Sequence, residues 1–230
     1  MRRLGIIQPG RIGDIIICLP IARWYANRGY EVIWPVADYV YKNFSGYVDY
    51  VNFIPTPGLD CAHAHKILLG RCNHILDLSI TFPNGNSFND SIYLAPGNKI
   101  SFDHLKYIFA DVPFEEKFKL QFTRNKERED LLFDKVAGDG NEPYTLVHLE
   151  GSSFTANWQP DNAEERVVYI KPYSNSILDW CRVIENANKI VMVDSCFANL
   201  VEQLNISSPK RLLIRDVNLV NHYRPDWITQ

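Results

Sequence analysis

Residues 4–14 read LGIIQPGRIGD, and this stretch decides the fold of the first half of the chain. An apolar run ends at a Pro-Gly pair, and apolar residues resume directly after Asp14. This order is typical of a buried strand, a tight turn and the first turn of a helix. Ligands of open α/β sheets bind at the carboxyl ends of strands, where helix N-termini offer free N–H groups. We therefore predict a ligand site at this first corner, lined by Gly10, Arg11 and Gly13.

A second corner of the same kind occurs late in the sequence. Residues 189–200 read KIVMVDSCFANL, an apolar strand pattern followed by Asp194 and Ser195 and then by a helix pattern. Two strand–turn–helix corners that both carry an aspartate suggest a cleft between two lobes.

Composition narrows the class of protein. The 230 residues are enough for one domain or two small ones. A formal net charge of -3 gives no basic field of the kind that attracts nucleic acid, but it does not exclude a local basic groove. The five cysteines are odd in number and lack paired spacing, which predicts reduced thiols and a cytoplasmic protein. The apolar residues 15–21 are too few to span a bilayer, so no transmembrane segment is predicted.

The first half of the chain alternates between strand and helix patterns. Strands are predicted at 4–8, 31–36, 48–54 and 74–78, and helices at 14–27, 38–44 and 101–110. Residues 81–98 are rich in Asn, Gly, Ser and Pro and predict irregular structure. Residues 111–142 are rich in charge, which is typical of a solvated helix face.

The stretch at 138–143 is the predicted domain boundary, and the alternation starts again after it. Strands are predicted at 144–149, 167–170, 189–193 and 211–214, and helices at 174–186 and 196–204. We therefore predict an α/β protein with two Rossmann-like domains, 1–140 with the charged connector and 141–230.

Two other chemistries receive little support from the sequence. Zinc ligands are commonly two to five residues apart, whereas single-residue gaps put neighbours on opposite faces of a strand or about 200° apart on a helix. We therefore predict no metal site at the cluster Cys61, His63, His65, Cys72 and His74. The pair Gly10-x-x-Gly13 is not a dinucleotide fingerprint and the chain has no P-loop lysine, so neither a hydride-transfer enzyme nor a kinase is favoured.

Three parts of the chain resemble one enzyme family. The first part is Gly13-Asp14 with Pro20 and Gly29-Tyr30-Glu31-Val32, the second is 144–153 with Trp158, and the third is 176–186 with 191–195. Together they resemble the ADP-heptose (lipopolysaccharide heptosyltransferase-like) glycosyltransferases, and the chain looks like a compact, divergent member. The resemblance implies the GT-B fold, two Rossmann-like domains facing each other across a cleft. The acceptor-side domain would be 1–140, and a shortened donor-binding domain would be 141–230.

The resemblance also implies residue roles. Asp14 corresponds to the family's catalytic base, and Glu150 is a further candidate for lining the cleft. The nucleoside-diphosphate sugar would be held by Gly151, Ser152, Ser153, Lys171, Tyr173, Asp194, Ser195, Cys196 and Asn199. This nucleotide sugar is a co-substrate, and no other cofactor or metal is implied, because helix N-termini and hydroxyl groups can stabilise the departing diphosphate.

Simpler interpretations remain open for the same side chains. Asp14 could do no more than cap the helix that follows it, and the same holds for Asp194 and Ser195. Tyr173 could stack against the donor base or be an ordinary packed tyrosine.

The leading hypothesis is a glycosyltransferase that acts on a hydroxyl of a saccharide or glycolipid. One alternative is a phage-type enzyme that glycosylates hydroxylated DNA bases. Another is a non-catalytic nucleotide-sugar-binding or assembly protein, because Ala156, Cys196 and Asn199 stand where the family usually has lysine, glycine and histidine. A strand–helix unit that ordinarily contacts the ribose is compressed between Trp158 and Val167, so we expect poor discrimination between donor bases. The sequence sets no oligomeric state.

Overall fold

The computed structural model describes residues 2–79, 100–138, 142–151, 154–214 and 221–230. The chain divides into two compact units, formed by Met1–Phe122 with Asp216–His222 and by Thr123–Arg215 with Tyr223–Gln230. Each unit carries its own sheet of parallel strands. The predicted α/β class with two parallel sheets is therefore confirmed.

The first unit contains four described strands and four described α-helices. The strands are β1 (Arg2–Ile7), β2 (Tyr30–Ala37), β3 (Asn52–Thr56) and β4 (His74–Asp77). The helices are α1 (Ile12–Ala26), α2 (Asp38–Phe44), α3 (Cys61–Leu68) and α4 (Phe102–Phe109), followed by a 3₁₀ helix, Phe114–Phe118. The strand order is β3-β2-β1-β4, so the direction of winding reverses between β1 and β4. Ligands of open α/β sheets bind at such a reversal, next to the carboxyl ends of the strands.

A buried ion pair ties a distant segment to the first unit. Asp103 of α4 and Lys117 of the 3₁₀ helix are both fully buried and pair at 2.5 Å between Oδ2 and Nζ. The backbone N–H of His222 donates to both Asp103 oxygens at 3.0 and 3.1 Å, and Lys117 donates to the His222 carbonyl at 2.5 Å. The polar groups of this pair are thus satisfied by a residue 119 positions beyond Asp103.

The second unit contains five described strands and three described α-helices. The strands are β5 (Thr145–His148), β6 (Val167–Tyr169), β7 (Lys189–Val193), β8 (Lys210–Leu213) and β9 (Trp227–Thr229). The helices are α5 (Lys126–Ala137), α6 (Cys181–Glu185) and α7 (Cys196–Leu204), and a 3₁₀ helix, Ile177–Trp180, precedes α6. The strand order is β6-β5-β7-β8-β9, so the reversal lies between β5 and β7.

The part of the charged connector from Thr123 onward belongs with the second unit, whereas the sequence predicted a first domain, 1–140, that included the connector. Arg124 pairs with Glu129 and, at 2.6 Å, with Glu185 of α6. Arg128 of α5 pairs with buried Asp179 at 3.0 Å. These pairs hold α5 against α6 and the 3₁₀ helix before it, and the dividing line therefore falls at residues 122–123. The acceptor-side and donor-side roles of the two units stay predictions.

Several predicted elements differ from the observed ones for local reasons. β3 begins at Asn52 because the amides of Tyr47 and Val48 close a turn on Phe44. The predicted helix 174–186 begins only at Ile177, because the Ser176 side chain accepts the N–H of Leu178 and starts a 3₁₀ turn. The sequence analysis missed α3 and β9, and its irregular stretch 81–98 lies outside the described residues.

Within the described parts of the chain, no helix combines the length and the apolar character needed to cross a membrane.

Candidate active site

The first corner is a tight turn between β1 and α1. A Cβ at Gly10 would lie 1.8 Å from Cδ2 of Leu59, so only glycine fits without displacing that side chain. Arg11 has a φ of 63°, and its backbone N–H donates to the Tyr39 hydroxyl at 2.9 Å. The turn therefore starts α1 directly at the carboxyl end of β1, with Gly13 in the first turn of the helix.

Asp14 is not the cap of α1, so the capping interpretation of this residue is wrong. Arg11 occupies the N-cap position, and Asp14 is the third residue of the helix. The Asp14 side chain is 16% exposed, and its Oδ1 lies 3.5 Å from Nζ of Lys106. Asp14 therefore faces a lysine from α4 instead of its own helix amides.

Lys106 is a residue of this corner that sequence reasoning missed. Its side chain is fully buried, and its ammonium donates to Oε1 of Gln8 at 2.9 Å and to the Leu78 carbonyl at 2.7 Å. Gln8 in turn donates through Nε2 to the Gly10 carbonyl at 3.0 Å. Lys106 thus bonds both to Gln8, which follows β1, and to Leu78, which follows β4, at the point where the strand order reverses. The only sequence signal was a lysine on the same helical face as Phe102.

The charge state of Asp14 results from opposing effects. Burial raises the pKa of this carboxyl above its usual value, while the positive charges of Lys106 and Arg11 act in the opposite direction. A carboxylate whose pKa is above the ordinary range is a stronger base than an exposed one, which suits proton uptake near neutral pH.

The second corner joins β5, β7 and α7. His148 ends β5, and its Nδ1 lies 3.0 Å from Oγ of Ser195, which is the N-cap residue of α7. Burial lowers the pKa of His148 to about 4, so the ring is neutral at pH 7. Among the described residues, the Ser195 hydroxyl caps no amide of α7, so the capping interpretation of Ser195 is wrong as well.

The other residues of this turn have defined partners. Asp194 precedes the N-cap and is buried, and Oδ1 accepts a hydrogen bond from the Tyr223 hydroxyl at 2.6 Å. Burial raises the pKa of the Cys196 thiol to about 11, which keeps it uncharged at pH 7. Asn199 is buried and donates through Nδ2 to the Ser195 carbonyl at 3.0 Å, whereas its Oδ1 has no hydrogen-bond partner among the described residues.

Two neighbouring loops also end at this edge of the second sheet. Gly151 follows β5, and a Cβ there would lie 3.3 Å from the Phe154 carbonyl oxygen and 3.8 Å from that of Asp194. Glu150 is exposed and pairs with Thr155 through a short antiparallel bridge. Lys171 follows β6 and is exposed. Ser152 and Ser153 lie outside the described residues.

Tyr173 is both packed and partly exposed. Its ring stacks on Trp180 at 6.5 Å between centroids, and Nζ of Lys135 lies 4.4 Å from the ring centroid. A cavity of about 310 Å³ beside it is lined by residues that include Tyr173, Lys135 and Arg128. Because Lys135 covers the ring, a nucleobase could stack on Tyr173 only after this lysine moved aside.

The cysteine and histidine cluster lies mostly on α3. Cys61, His63 and His65 follow one another along this helix, and His74 begins β4. Among the described residues, no three side chains of His, Cys, Asp or Glu come close enough together to hold a metal ion.

Solved structures share the fold of this chain. No protein-family model and no curated protein matches its sequence. A glycosyl transferase of family 9 from Veillonella parvula matches with a TM-score of 0.59 and 10% identity, covering 100% of this chain and 85% of that one. The ADP-heptose lps heptosyltransferase II of Escherichia coli matches with a TM-score of 0.57 and 11% identity, covering 100% of this chain and 90% of that one.

The iron-containing dodecameric glycosyltransferase TibC from enterotoxigenic Escherichia coli matches with a TM-score of 0.56 and 12% identity. It covers 99% of this chain but only 62% of that protein. At such low identities the likeness is one of fold. The GT-B-like fold predicted from the sequence is confirmed, and these structural neighbours are glycosyltransferases.

Proposed function

We propose that the protein transfers a sugar from a nucleoside-diphosphate sugar to a hydroxyl group of a saccharide or glycolipid. The observation that carries the proposal is the ion pair of Asp14 and Lys106, which lies at the strand reversal of a fold shared with glycosyltransferases. A partly exposed carboxylate there can reach a substrate, because ligands of this fold class bind at that edge.

Asp14 would be the catalytic base. The acceptor O–H bond breaks, its proton passes to an Asp14 oxygen, and the acceptor oxygen forms a bond to the anomeric carbon of the donor. The bond between that carbon and the diphosphate oxygen breaks, and its electron pair stays on the diphosphate. General base catalysis of this kind typically contributes about 10²–10⁴-fold in rate.

The second corner would bind the departing diphosphate. The N-terminus of α7 supplies the amides of Cys196 and Phe197 and the positive end of the helix dipole, which favour an anion. In the tautomer that carries a proton on Nδ1, His148 donates to Ser195, and the serine hydroxyl hydrogen is then available to a phosphate oxygen. Asp194 would orient this turn through Tyr223, since direct contact of a carboxylate with phosphate is repulsive.

The proposed step uses no metal ion, because the helix N-terminus and the hydroxyl group of Ser195 would stabilise the negative charge. The glycosyltransferase structures described above lend no support to the alternative acceptor, a hydroxylated DNA base. A non-catalytic protein with the same donor corner would bind the nucleotide sugar and release no product.

The test is a donor panel followed by a transfer assay. Thermal shifts with nucleoside diphosphates and their sugars identify the donor, since a ligand at 100 times its dissociation constant stabilises the folded state by about 2.7 kcal/mol. The donor is then incubated with candidate saccharides and glycolipids, and products are detected by mass spectrometry. Transfer or donor hydrolysis that is lost in Asp14→Asn supports the proposal. Donor binding without any turnover would identify a binding protein instead.

A further inference from the structure

The ammonium group of Lys106 is enclosed by acceptors from three parts of the first unit. Its three N–H donors meet Gln8 Oε1 at 2.9 Å, the Leu78 carbonyl at 2.7 Å and Asp14 Oδ1 at 3.5 Å. The ring of Phe102 lies 4.3 Å from Nζ, which adds a cation–π contact. The lysine is therefore fixed in place, and its position relative to Asp14 is set by β1, β4 and α4 together.

A buried ammonium is costly unless an anion and hydrogen bonds compensate it. Gln8 and the Leu78 carbonyl supply hydrogen bonds but no charge, whereas Asp14 supplies the negative charge. Burial of Asp14 raises the pKa of its carboxyl, and the charge of Lys106 acts in the opposite direction. The positive charge of Lys106 thus favours the carboxylate form of Asp14.

Other charged or titratable groups near the pair have different roles. Arg11 lies in the loop before α1, is exposed, and favours the carboxylate less strongly than Lys106 does. Cys18 lies on α1 one turn beyond Asp14, and burial raises its pKa to about 12, so it stays uncharged over the relevant pH range. Asp77, at the end of β4, is exposed and accepts hydrogen bonds from Ser79 at 2.9 and 2.6 Å.

We propose that Lys106 is a positioning residue that holds Asp14 as a carboxylate and thereby sets the pH range over which this site can take up a proton. The use of that proton in sugar transfer rests on the proposed function, whereas the coupling between the two side chains does not. The substrate need not touch Lys106, because the lysine acts through Asp14.

The direct test is a pH titration of the Asp14 carboxyl carbon by ¹³C NMR, with its signal identified by its absence in Asp14→Asn. Lys106→Met should move the Asp14 midpoint upward by about one to three pH units, as expected for the loss of an opposite charge at this distance. Lys106→Arg should restore most of the shift, because it keeps the charge. Lys66→Met, which removes an exposed lysine of α3, serves as the matched control and should leave the midpoint unchanged.

If Lys106→Met folds poorly, a double-mutant cycle that compares the Tm of the single and double variants tests the coupling instead. At pH 8 the single variant leaves a buried carboxylate without its partner, so Asp14→Asn in the same chain should recover most of the lost Tm. Losses that simply add in the double variant, or an Asp14 midpoint that does not move in Lys106→Met, would overturn the proposal.

The pH dependence of transfer separates this proposal from the proposed function. The acid limb of kcat/KM should move with the NMR midpoint in Lys106→Met. A moved midpoint in a protein that transfers no sugar would refute the proposed function and leave the coupling established. Transfer with an unmoved midpoint would refute the role of Lys106 alone.

Discussion

The two corners of this protein share one sequence pattern but surround their aspartates differently. Asp14 lies 3.5 Å from the buried ammonium of Lys106, whereas Asp194 accepts a hydrogen bond from the phenol of Tyr223 at 2.6 Å. An ammonium changes the basicity of a nearby carboxylate strongly, while a phenol mainly orients it. We therefore expect the first corner to exchange a proton and the second to hold a turn in place.

The serine of the second corner adds to this difference. Ser195 meets His148, a neutral ring at pH 7, so this pair brings a hydroxyl group and no side-chain cation to the end of α7 where we propose that the diphosphate binds. In both corners the strand–turn–helix pattern determines where the aspartate lies, while side chains from other elements determine what surrounds it.

The largest effect is expected from removing the basic group of the first corner. Asp14→Asn should lower the turnover of sugar transfer by roughly 10²–10⁴-fold and leave the dissociation constant of the donor nearly unchanged, because only proton removal is lost. Steady-state kinetics and calorimetric donor binding measure the two quantities. Asp38→Asn, an exposed acid in the first turn of α2, is the matched control. Intact turnover in Asp14→Asn would show that Asp14 is not the catalytic base and that the first corner does not differ from the second in this way.

The next effect concerns pH and the neutral histidine of the second corner. The folded-state pKa of His148 is lowered from 6.5 to about 4, so the folded state resists protonation more than the unfolded chain does. Its stabilising contribution is complete above pH 6.5 and is lost as the pH falls from 6.5 toward 4. At about 1.4 kcal/mol per pKa unit, lowering the pKa from 6.5 to about 4 corresponds to a loss of about 3 kcal/mol.

Urea unfolding as a function of pH measures this loss, and His148→Gln should show a flatter dependence than the wild type. His65→Gln, which alters an exposed histidine of α3, should keep the wild-type dependence. Identical pH profiles for the wild type and His148→Gln would show that the ring is accessible to protons in the folded state.

A smaller effect is expected on donor affinity when the hydroxyl group of Ser195 is removed. Ser195→Ala should weaken donor binding about tenfold, or about 1.4 kcal/mol, because a hydrogen bond to a charged phosphate oxygen is lost. The acceptor KM should stay the same, since that side of the reaction is assigned to the first corner. Ser208→Ala removes a serine hydroxyl that donates to the Ala187 carbonyl and provides the control. An unchanged donor affinity in Ser195→Ala would place the diphosphate elsewhere.

The smallest expected effect is the difference in affinity between nucleoside diphosphates that carry different bases. ADP, GDP and UDP should bind within about tenfold of one another, because the sequence predicts a compressed ribose-contacting unit and Lys135 covers the ring of Tyr173. Competition binding with the three nucleotides gives the ratios. A hundredfold preference for one nucleotide would show that the second unit has a base-reading pocket.

Local patterns predicted most of the elements but few of the contacts between them. The helices 38–44 and 196–204 and the strand 189–193 match the structure at both ends, because the apolar periods that define them lie within a few residues. Asp14 and Ser195 lie at the two predicted corners, yet both were open to interpretation as caps, since a short polar residue near the start of a helix has the same appearance in either case.

The missing part of each site comes from distant residues. Lys106 is 92 positions from Asp14, and Tyr223 is 29 positions from Asp194, as the numbering gives. No local period links such pairs, and a lysine on an otherwise apolar helix face is usually a solvated residue whose stem is buried. The strand β9 was not predicted for a related reason, because a distant residue holds it in place. Nε1 of Trp227, its first residue, donates to Glu202 of α7 at 2.7 Å.

The hydrogen bonds between His222 and the Asp103–Lys117 pair determine when the first unit can be completed during synthesis. A ribosome releases residues 1–122 long before residue 222, so a nascent first unit holds a buried ion pair that lacks its backbone partners. The strands β5 to β8 must leave the ribosome before those partners arrive. The unit that begins first is therefore completed only after most of the second unit has been made, and a fragment cut after residue 122 carries an unfinished interior.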